Sequence, residues 1–363
     1  PLMGTEFGFM MGLSPREPIA RFGDLAHAAE ELGFGAAWLA DSQLYTKDVY
    51  VGLALAAART SRIALGPGVT NPVTRHLTVT ANAISGIDEV SGGRALLGLG
   101  AGDAAVFPLG LPPARIAELR ETIRALRALS RGEDAQFDDA RASVAAAGSG
   151  WPILLAASQP RMLELAGAEA DGVILMGAAD PALTSWQLER IAAGAEKSGR
   201  NLSDLAVDLW FTISLSEDRA QALQDVRPWA ISQARWFSRW RELPEPLRPF
   251  ADELRRAAEA HEFSRHLARG ANGRESVSDE FVDWVGVAGD LAHCVAKIRP
   301  LVALDVDRIT FALLPGGRAQ RLERYGRELI PALNPDPEPG HPANACAASP
   351  HSEGHPRTRG PAS

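Results

Sequence analysis

The sequence contains very little cysteine and no excess of basic charge. Cys294 and Cys346 are the only two cysteines in 363 residues, which argues against a disulfide framework or a thiolate metal site. The formal net charge at pH 7 is −8, whereas a nucleic-acid-binding surface needs clustered lysine and arginine. We therefore expect no metal centre and no nucleic-acid partner, so any redox chemistry must come from a bound organic cofactor.

Long apolar stretches are missing as well. No run of about 18 apolar residues occurs anywhere, so we expect no membrane-spanning helix. The first residues show neither the charged segment nor the small-residue cleavage site of a signal peptide. Together these absences predict a cytoplasmic protein. Residues 334–363 are rich in Pro, Gly, His, Ser and Ala without periodicity, which is typical of a disordered tail.

Strand and helix patterns alternate along most of the remaining chain. Such alternation predicts parallel strands joined by right-handed helical crossovers. The length suits one α/β barrel with an insertion, and we predict a (β/α)8 TIM barrel over residues 1–333. Its eight predicted strands cover residues 6–11, 36–40, 62–65, 95–99, 152–156, 172–175, 205–213 and 308–313.

A long segment separates the seventh and eighth predicted strands. Residues 216–285 are rich in Trp, Arg and Pro and exceed what one crossover helix needs. A long excursion at the catalytic end of a barrel usually covers the site or forms a subunit contact. We therefore predict a helical insertion that acts as a cover. Its tryptophans Trp229, Trp236 and Trp240 are expected to serve packing more than ligand binding.

Two glycine-rich strand ends carry the clearest functional signal. Residues 65–72 read LGPGVTNP and residues 91–103 read SGGRALLGLGAGD. Each is a short apolar run that ends in glycines and a polar residue, as expected where a barrel loop approaches a ligand closely.

Two carboxylates follow predicted strands and are the candidate catalytic residues. Asp41 ends the second strand and Asp103 follows the fourth. A carboxylate at such a position can meet the polar edge of a ring or exchange a proton when it is partly buried. The alternatives are that Asp41 caps a neighbouring amide and that Asp103 caps the start of a helix.

Two further loops predict a phosphate site. After the fifth strand, Ala157, Ser158 and Gln159 open a helix. The loop after the sixth strand contains Met176, Gly177 and Ala178. Both loops place backbone N–H groups and helix dipoles at the barrel top, which is how barrels without a Walker loop hold phosphate.

These segments, in this order, resemble the luciferase-like monooxygenase superfamily. They are most similar to methylenetetrahydromethanopterin reductase and related coenzyme F420-dependent oxidoreductases. The resemblance implies a cofactor ring at the C-terminal end of the barrel, against a bulge with a non-proline cis peptide at Gly68–Val69. It also implies that Asp41, Thr70 and Gly100 bind the cofactor and that the two loops above hold its phosphate. The similar segments are residues 31–41, 66–72, 91–103, 152–160 and 170–174.

The leading functional hypothesis is a coenzyme F420-dependent oxidoreductase, expected to be a homodimer, that exchanges a hydride with an organic small molecule. One alternative is a monooxygenase that uses FMN and oxygen, and another is a catalytically inactive binding or subunit partner. Two positions depart from the family pattern, because Ser42 replaces the usual His and Met10 replaces an acidic residue of the methanopterin reductases. The resemblance therefore carries the cofactor class to this chain but not the substrate.

Overall fold

Eight parallel strands form the centre of the computed structural model, which describes residues 4–259, 277–304 and 306–334. The strands are β1 (Glu6–Met11), β2 (Ala36–Leu39), β3 (Ala64–Pro67), β4 (Leu97–Leu99), β5 (Ile153–Ala157), β6 (Gly172–Met176), β7 (Ala206–Phe211) and β8 (Arg308–Ala312). Their order in the sheet is β3-β2-β1-β8-β7-β6-β5-β4, and isolated parallel bridges Leu65–Ala95 and Thr70–Leu99 join β3 to β4. The sheet therefore closes, and the predicted (β/α)8 barrel is confirmed.

Helices follow the strands as crossovers. Asp48 caps the helix that begins at Val49, since its side chain accepts a hydrogen bond from the backbone N–H of Val51 at 3.0 Å. The first six helices are α1 (Arg21–Glu31), α2 (Val49–Ala57), α3 (Leu77–Ser91), α4 (Ile116–Ser130), α5 (Pro160–Glu169) and α6 (Pro181–Lys197). The others are α7 (Arg219–Phe237), α8 (Ala251–Glu259), α9 (Asp279–Val285), α10 (Leu291–Val302), α11 (Arg318–Arg324) and, after a π-helical turn at Tyr325–Leu329, α12 (Ile330–Leu333).

Some short elements were not predicted. A small antiparallel hairpin joins Ala135–Phe137 to Ala140–Ala142 within the polar segment after α4. The predicted seventh strand over 205–213 is instead divided, because β7 ends at Phe211 and a separate strand, Ile213–Leu215, pairs in parallel with Val287–Gly289. This second pairing ties the two ends of the insertion together. Three 3₁₀ turns complete the described elements: Phe107–Leu109, Leu202–Asp204 and Glu245–Phe250.

A pair of tryptophans fills the inside of the barrel. Trp38 on β2 lies in register with Gly66 of β3, and its ring centroid is 5.5 Å from that of Trp210 on β7. The indole Nε1 of Trp38 donates to Asp208 Oδ2 at 3.1 Å. Burial raises the pKa of Asp208, against the opposing charge of Arg308. The two rings thus form a packed floor beneath the C-terminal mouth of the barrel.

The second hydrophobic cluster is built mainly by residues 219–259 and 277–285, here called the cover, which contain α7, α8, α9 and the turns between α7 and α8. Trp229 and Trp240 are buried within it, in agreement with their expected packing role. Met10 and Met176 on the barrel strands pack against the same cluster, so the apolar core of the cover continues into the barrel mouth.

Among the described residues, no helix combines the length and apolarity needed to cross a bilayer. The predicted tail lies outside the described residues beyond Asn334.

Candidate active site

The loops after β2, β3 and β4 are joined by backbone hydrogen bonds at the mouth. The N–H of Gly68 donates to Leu39 at 2.7 Å, and that of Thr70 donates to Gly98 at 2.9 Å. Gly100 in turn donates to the carbonyl of Thr70 at 2.8 Å. The peptide bond between Gly68 and Val69 is cis, as the family resemblance implies. These bonds hold the bulge after β3 between its two neighbouring strand ends.

Glycine is required on both sides of this bulge for reasons of space. A Cβ atom on Gly68 would lie 2.7 Å from Trp210 Cη2 and 2.9 Å from Trp38 Cβ. A Cβ atom on Gly100 would lie 2.8 Å from Val69 Cγ2. Because all three distances are shorter than carbon atoms tolerate, a side chain at either position would displace the bulge. The two glycine motifs therefore serve the close packing of the barrel mouth.

Asp41 lies beside the bulge and is 5% exposed. Its Oδ2 atom accepts a hydrogen bond from Thr70 Oγ1 at 2.8 Å and forms a short ion pair with the guanidinium of Arg75. Within the described part of the chain, its side chain caps no backbone amide. Among the described residues, no donor is bonded to its other oxygen, Oδ1. Asp41 is therefore a charged acceptor with one oxygen fully engaged and one available to a ligand.

Arg75 is a site residue that the sequence reasoning missed. Although burial opposes its charge, Asp41 raises the pKa of Arg75, and its guanidinium lies 5.1 Å from the ring centre of Tyr50. Asn71 Oδ1 accepts the N–H groups of Val73 and Thr74, both at 3.0 Å. This Asx turn bends the chain back toward the bulge. The Asn-Pro pair in the sequence was therefore the signal that a side chain shortly after it, here Arg75, returns to the bulge.

Asp103 lies in the loop after β4 and is bound by two arginines of the cover. Arg235 Nη2 lies 2.6 Å from Asp103 Oδ2, and Arg239 Nη1 lies 3.7 Å from Oδ1. The side chain of Asp103 is 15% exposed and does not cap a helix. Sequence reasoning missed both arginines, since they follow Asp103 by more than a hundred residues. The carboxylate therefore joins the barrel to the cover.

The two loops predicted to hold phosphate lie at adjacent strand ends, since β5 pairs with β6. Ala157 is buried, whereas Ser158 and Gln159 are half-buried ahead of α5. Gly177 and Ala178 are buried, and Ala178 belongs to the hydrophobic cluster of the cover. Met176 and Val69 both pack against the cluster inside the barrel.

Gln187 on α6 was also missed and lies directly behind Gly177. Its side chain is completely buried, and neither its Oε1 nor its Nε2 has a hydrogen-bond partner within the described ranges. A Cβ atom on Gly177 would lie 3.1 Å from Gln187 Oε1. The loop after β6 therefore rests on a buried amide without partners.

The chain is similar to proteins that use coenzyme F420. The family model described as luciferase-like monooxygenase matches residues 4–308. A 5,10-methylenetetrahydromethanopterin reductase of Methanolobus tindarius is 32% identical over 330 residues, which cover 87% of this chain and 97% of the relative. An F420-dependent glucose-6-phosphate dehydrogenase of Nakamurella multipartita is 30% identical over 351 residues, covering 90% and 96%. The solved structure of a coenzyme F420-dependent tetrahydromethanopterin reductase from Methanopyrus kandleri superposes with a TM-score of 0.75 and 26% identity, covering 91% of this chain and 100% of that one.

Proposed function

Because this chain belongs to the luciferase-like monooxygenase family, we propose that it is a coenzyme F420-dependent oxidoreductase that transfers a hydride between the deazaflavin and an organic small molecule. The observation that carries this proposal is the bulge at Gly68–Val69, held between the buried carboxylate of Asp41 and the glycines after β4. Relatives similar over most of the chain bear names that specify coenzyme F420. The substrates in those names are not transferred.

The residues at the mouth fit such a cofactor. When bound, coenzyme F420 supplies a two-electron hydride carrier, so the protein contributes position and electrostatics. Gly68, Val69 and Gly100 provide a closely packed surface on which a flat ring can lie. Asp41 and Thr70 provide the polar edge, where Asp41 Oδ1 is available to accept an N–H. The loops that would hold the phosphate-bearing part contain Ala157, Ser158, Gln159, Met176, Gly177 and Ala178.

Asp103 is proposed to act on the substrate side of the mouth. Both of its oxygens face guanidinium groups of the cover, so it orients those groups at the mouth. Moving a proton through Asp103 would require one of these contacts to open. Asp41 in turn holds the cofactor as a charged acceptor beside Arg75. The cover packs on Met10 and Met176 and so excludes water above the ring site.

A pair of fluorescence titrations tests the cofactor. We expect the protein to bind coenzyme F420 at least roughly tenfold more tightly than FMN, a difference of about 1.4 kcal/mol. Equal or reversed affinities would favour the monooxygenase that uses FMN and oxygen. Failure to bind either molecule would favour the catalytically inactive partner instead.

A homodimer is proposed from three exposed apolar side chains on α2, on α3 and in the loop before α2. Val51 on α2 and Val79 on α3 are 50% and 56% exposed, and Leu44 in the preceding loop is 46% exposed. These neighbouring helices would bury the three side chains against a second copy. Light scattering after gel filtration should give twice the chain mass, and Val51→Lys with Val79→Lys should reduce it to one chain. A wild-type monomer would overturn the proposal.

The location of the protein in the cytoplasm stays a prediction.

A further inference from the structure

Two arginines of the cover share one carboxylate at the barrel mouth. Arg235 and Arg239 stand one helical turn apart and both face Asp103. Arg235 is 4% exposed and makes the shorter contact, at 2.6 Å. Arg239 is 39% exposed and lies 3.7 Å from a carboxylate oxygen, which Arg235 Nη1 already approaches at 3.4 Å. Arg239 is therefore the outer and less completely paired of the two.

Aromatic rings fix the position of the Arg239 guanidinium. Its central carbon lies 4.9 Å from the ring centre of Phe107 in the loop after β4 and 5.8 Å from that of Trp236. Burial and the charge of Arg235 lower the pKa of Arg239, against the favourable charge of Asp103. The protein thus holds an oriented cation in a place where its charge is only partly compensated.

A second pair of arginines that shares one carboxylate lies on the outside of the barrel and can be compared with the pair at Asp103. Arg120 Nε lies 3.7 Å from Glu169 Oε1 and is 45% exposed, and Arg124 binds the same oxygen at 2.7 Å. Glu169 is the last residue of α5, so this group lies at the end of the helix farthest from the mouth. Within the described ranges, no aromatic ring stacks on Arg120. In both groups two arginines therefore share one carboxylate, whereas Arg239 in addition has stacked aromatic rings and lies at the barrel mouth.

We propose that Arg239 binds an anionic group of the organic substrate, a carboxylate or a phosphoryl group, above the loop after β4. This inference rests on the proposed function. A guanidinium presents paired N–H donors that match the oxygens of both anions, and the flanking rings reduce the entropy lost when it binds. The negative charge of Asp103 directs the anion to the opposite, exposed side of Arg239. Such an anchor orients the rest of the substrate toward the bulge, and its removal should weaken binding more than turnover.

The test is a calorimetric titration of the coenzyme F420-loaded protein with inorganic phosphate and with acetate, at an ionic strength fixed by sodium chloride. We expect saturable binding of at least one anion by the wild type. Arg239→Gln should weaken it by roughly tenfold or more, and Arg239→Lys should weaken it less. The matched control Arg120→Gln should bind like the wild type. Melting curves confirm that the variants are folded. Absence of anion binding in the wild type, or equal affinity in Arg239→Gln, would overturn the proposal.

The affinity for coenzyme F420 separates the possible sources of the anion. If Arg239→Gln binds the coenzyme itself roughly tenfold more weakly, the anion belongs to the cofactor and the substrate assignment is wrong. If all variants bind the coenzyme equally, the assignment to the substrate stands. A wild type that does not bind coenzyme F420 contradicts the proposed function, and the same anion titration on the protein alone then decides the role of Arg239 independently.

Discussion

The loops after β2, β3 and β4 form a polar, hydrogen-bonded half of the barrel mouth, whereas the loop after β6 forms an apolar half whose Ala178 packs into the cover. In the polar half, the carboxylates of Asp41 and Asp103 both have cationic partners. In the apolar half, Gly177 and Ala178 are buried, and the amide of Gln187 behind them has no hydrogen-bond partner in the part of the chain that the structure describes. Val69 of the polar half and Met176 at the end of β6 pack against the same cluster inside the barrel.

This difference indicates how strongly each half of the mouth restricts a bound ligand. In the polar half, each position is restricted by close packing or by a charged partner, so small changes should be felt strongly by a bound ring. The apolar half is sealed by side chains that tolerate substitution when volume is conserved. Four variants test whether effects follow this division.

The largest effect is expected for Gly68→Val. The new side chain would meet Trp38 and Trp210, so we expect a stability loss of about 1–3 kcal/mol and roughly a hundredfold loss of affinity for coenzyme F420, or about 2.7 kcal/mol. Melting and fluorescence titration measure the two effects. Gly86→Ala on α3 is the control, since a Cβ atom there meets nothing within 4 Å. Normal melting and normal affinity in Gly68→Val would remove the bulge from the site.

Asp41→Asn should have the next largest effect. It removes the charge that the partly buried Arg75 requires, so we expect a stability loss of about 1–3 kcal/mol and roughly tenfold weaker binding of coenzyme F420. Asp24→Asn is the matched control, because Asp24 pairs with Arg59 at 3.6 Å on the surface and should contribute below about 1 kcal/mol. Equal losses of stability and of coenzyme affinity in the two variants would show that Asp41 has no special role at the mouth.

Asp103→Asn should leave the affinity for coenzyme F420 unchanged and lower kcat/KM by roughly fivefold, or about 1 kcal/mol. The reason is that Arg235 and Arg239 lose the anion that holds them at the mouth. Glu169→Gln is the control, since that carboxylate also binds two arginines but lies outside the barrel. A pH–rate profile completes the test. Identical kcat/KM values and identical limbs would show that Asp103 only joins the cover to the barrel.

The smallest effect is expected for Gln187→Leu. Replacing a buried amide without partners by an apolar side chain of similar size should raise stability by about 1 kcal/mol and leave coenzyme affinity unchanged. Denaturant unfolding and the same fluorescence titration measure both. A clear loss of affinity would mean that the amide of Gln187 contacts the ligand. The apolar half would then contain a polar contact of its own, and the comparison between the halves would fail.

The sequence alone determined the barrel and half of its mouth. Hydrophobic periodicity and glycine positions depend on short stretches of chain, so the predicted strands agree with β1 to β6 and β8 within about two residues at each end, as is usual for such boundaries. The motifs around Gly68 and Gly100 are likewise local, because a strand that ends in glycine admits close approach wherever the chain goes next. Asp41 and Asp103 were found for the same reason.

Only the tertiary structure decided which side chains those carboxylates meet. The contact between Arg235 and Asp103 spans 132 residues, and nothing in the local pattern of α7 distinguishes Arg235 from a surface arginine. The partial pairing of Arg239, the burial of Gly177 beneath the cover and the partnerless amide of Gln187 depend in the same way on how the cover packs onto the closed barrel. Periodicity reports which face of an element is buried, whereas partners across the mouth are chosen only when distant elements are brought together.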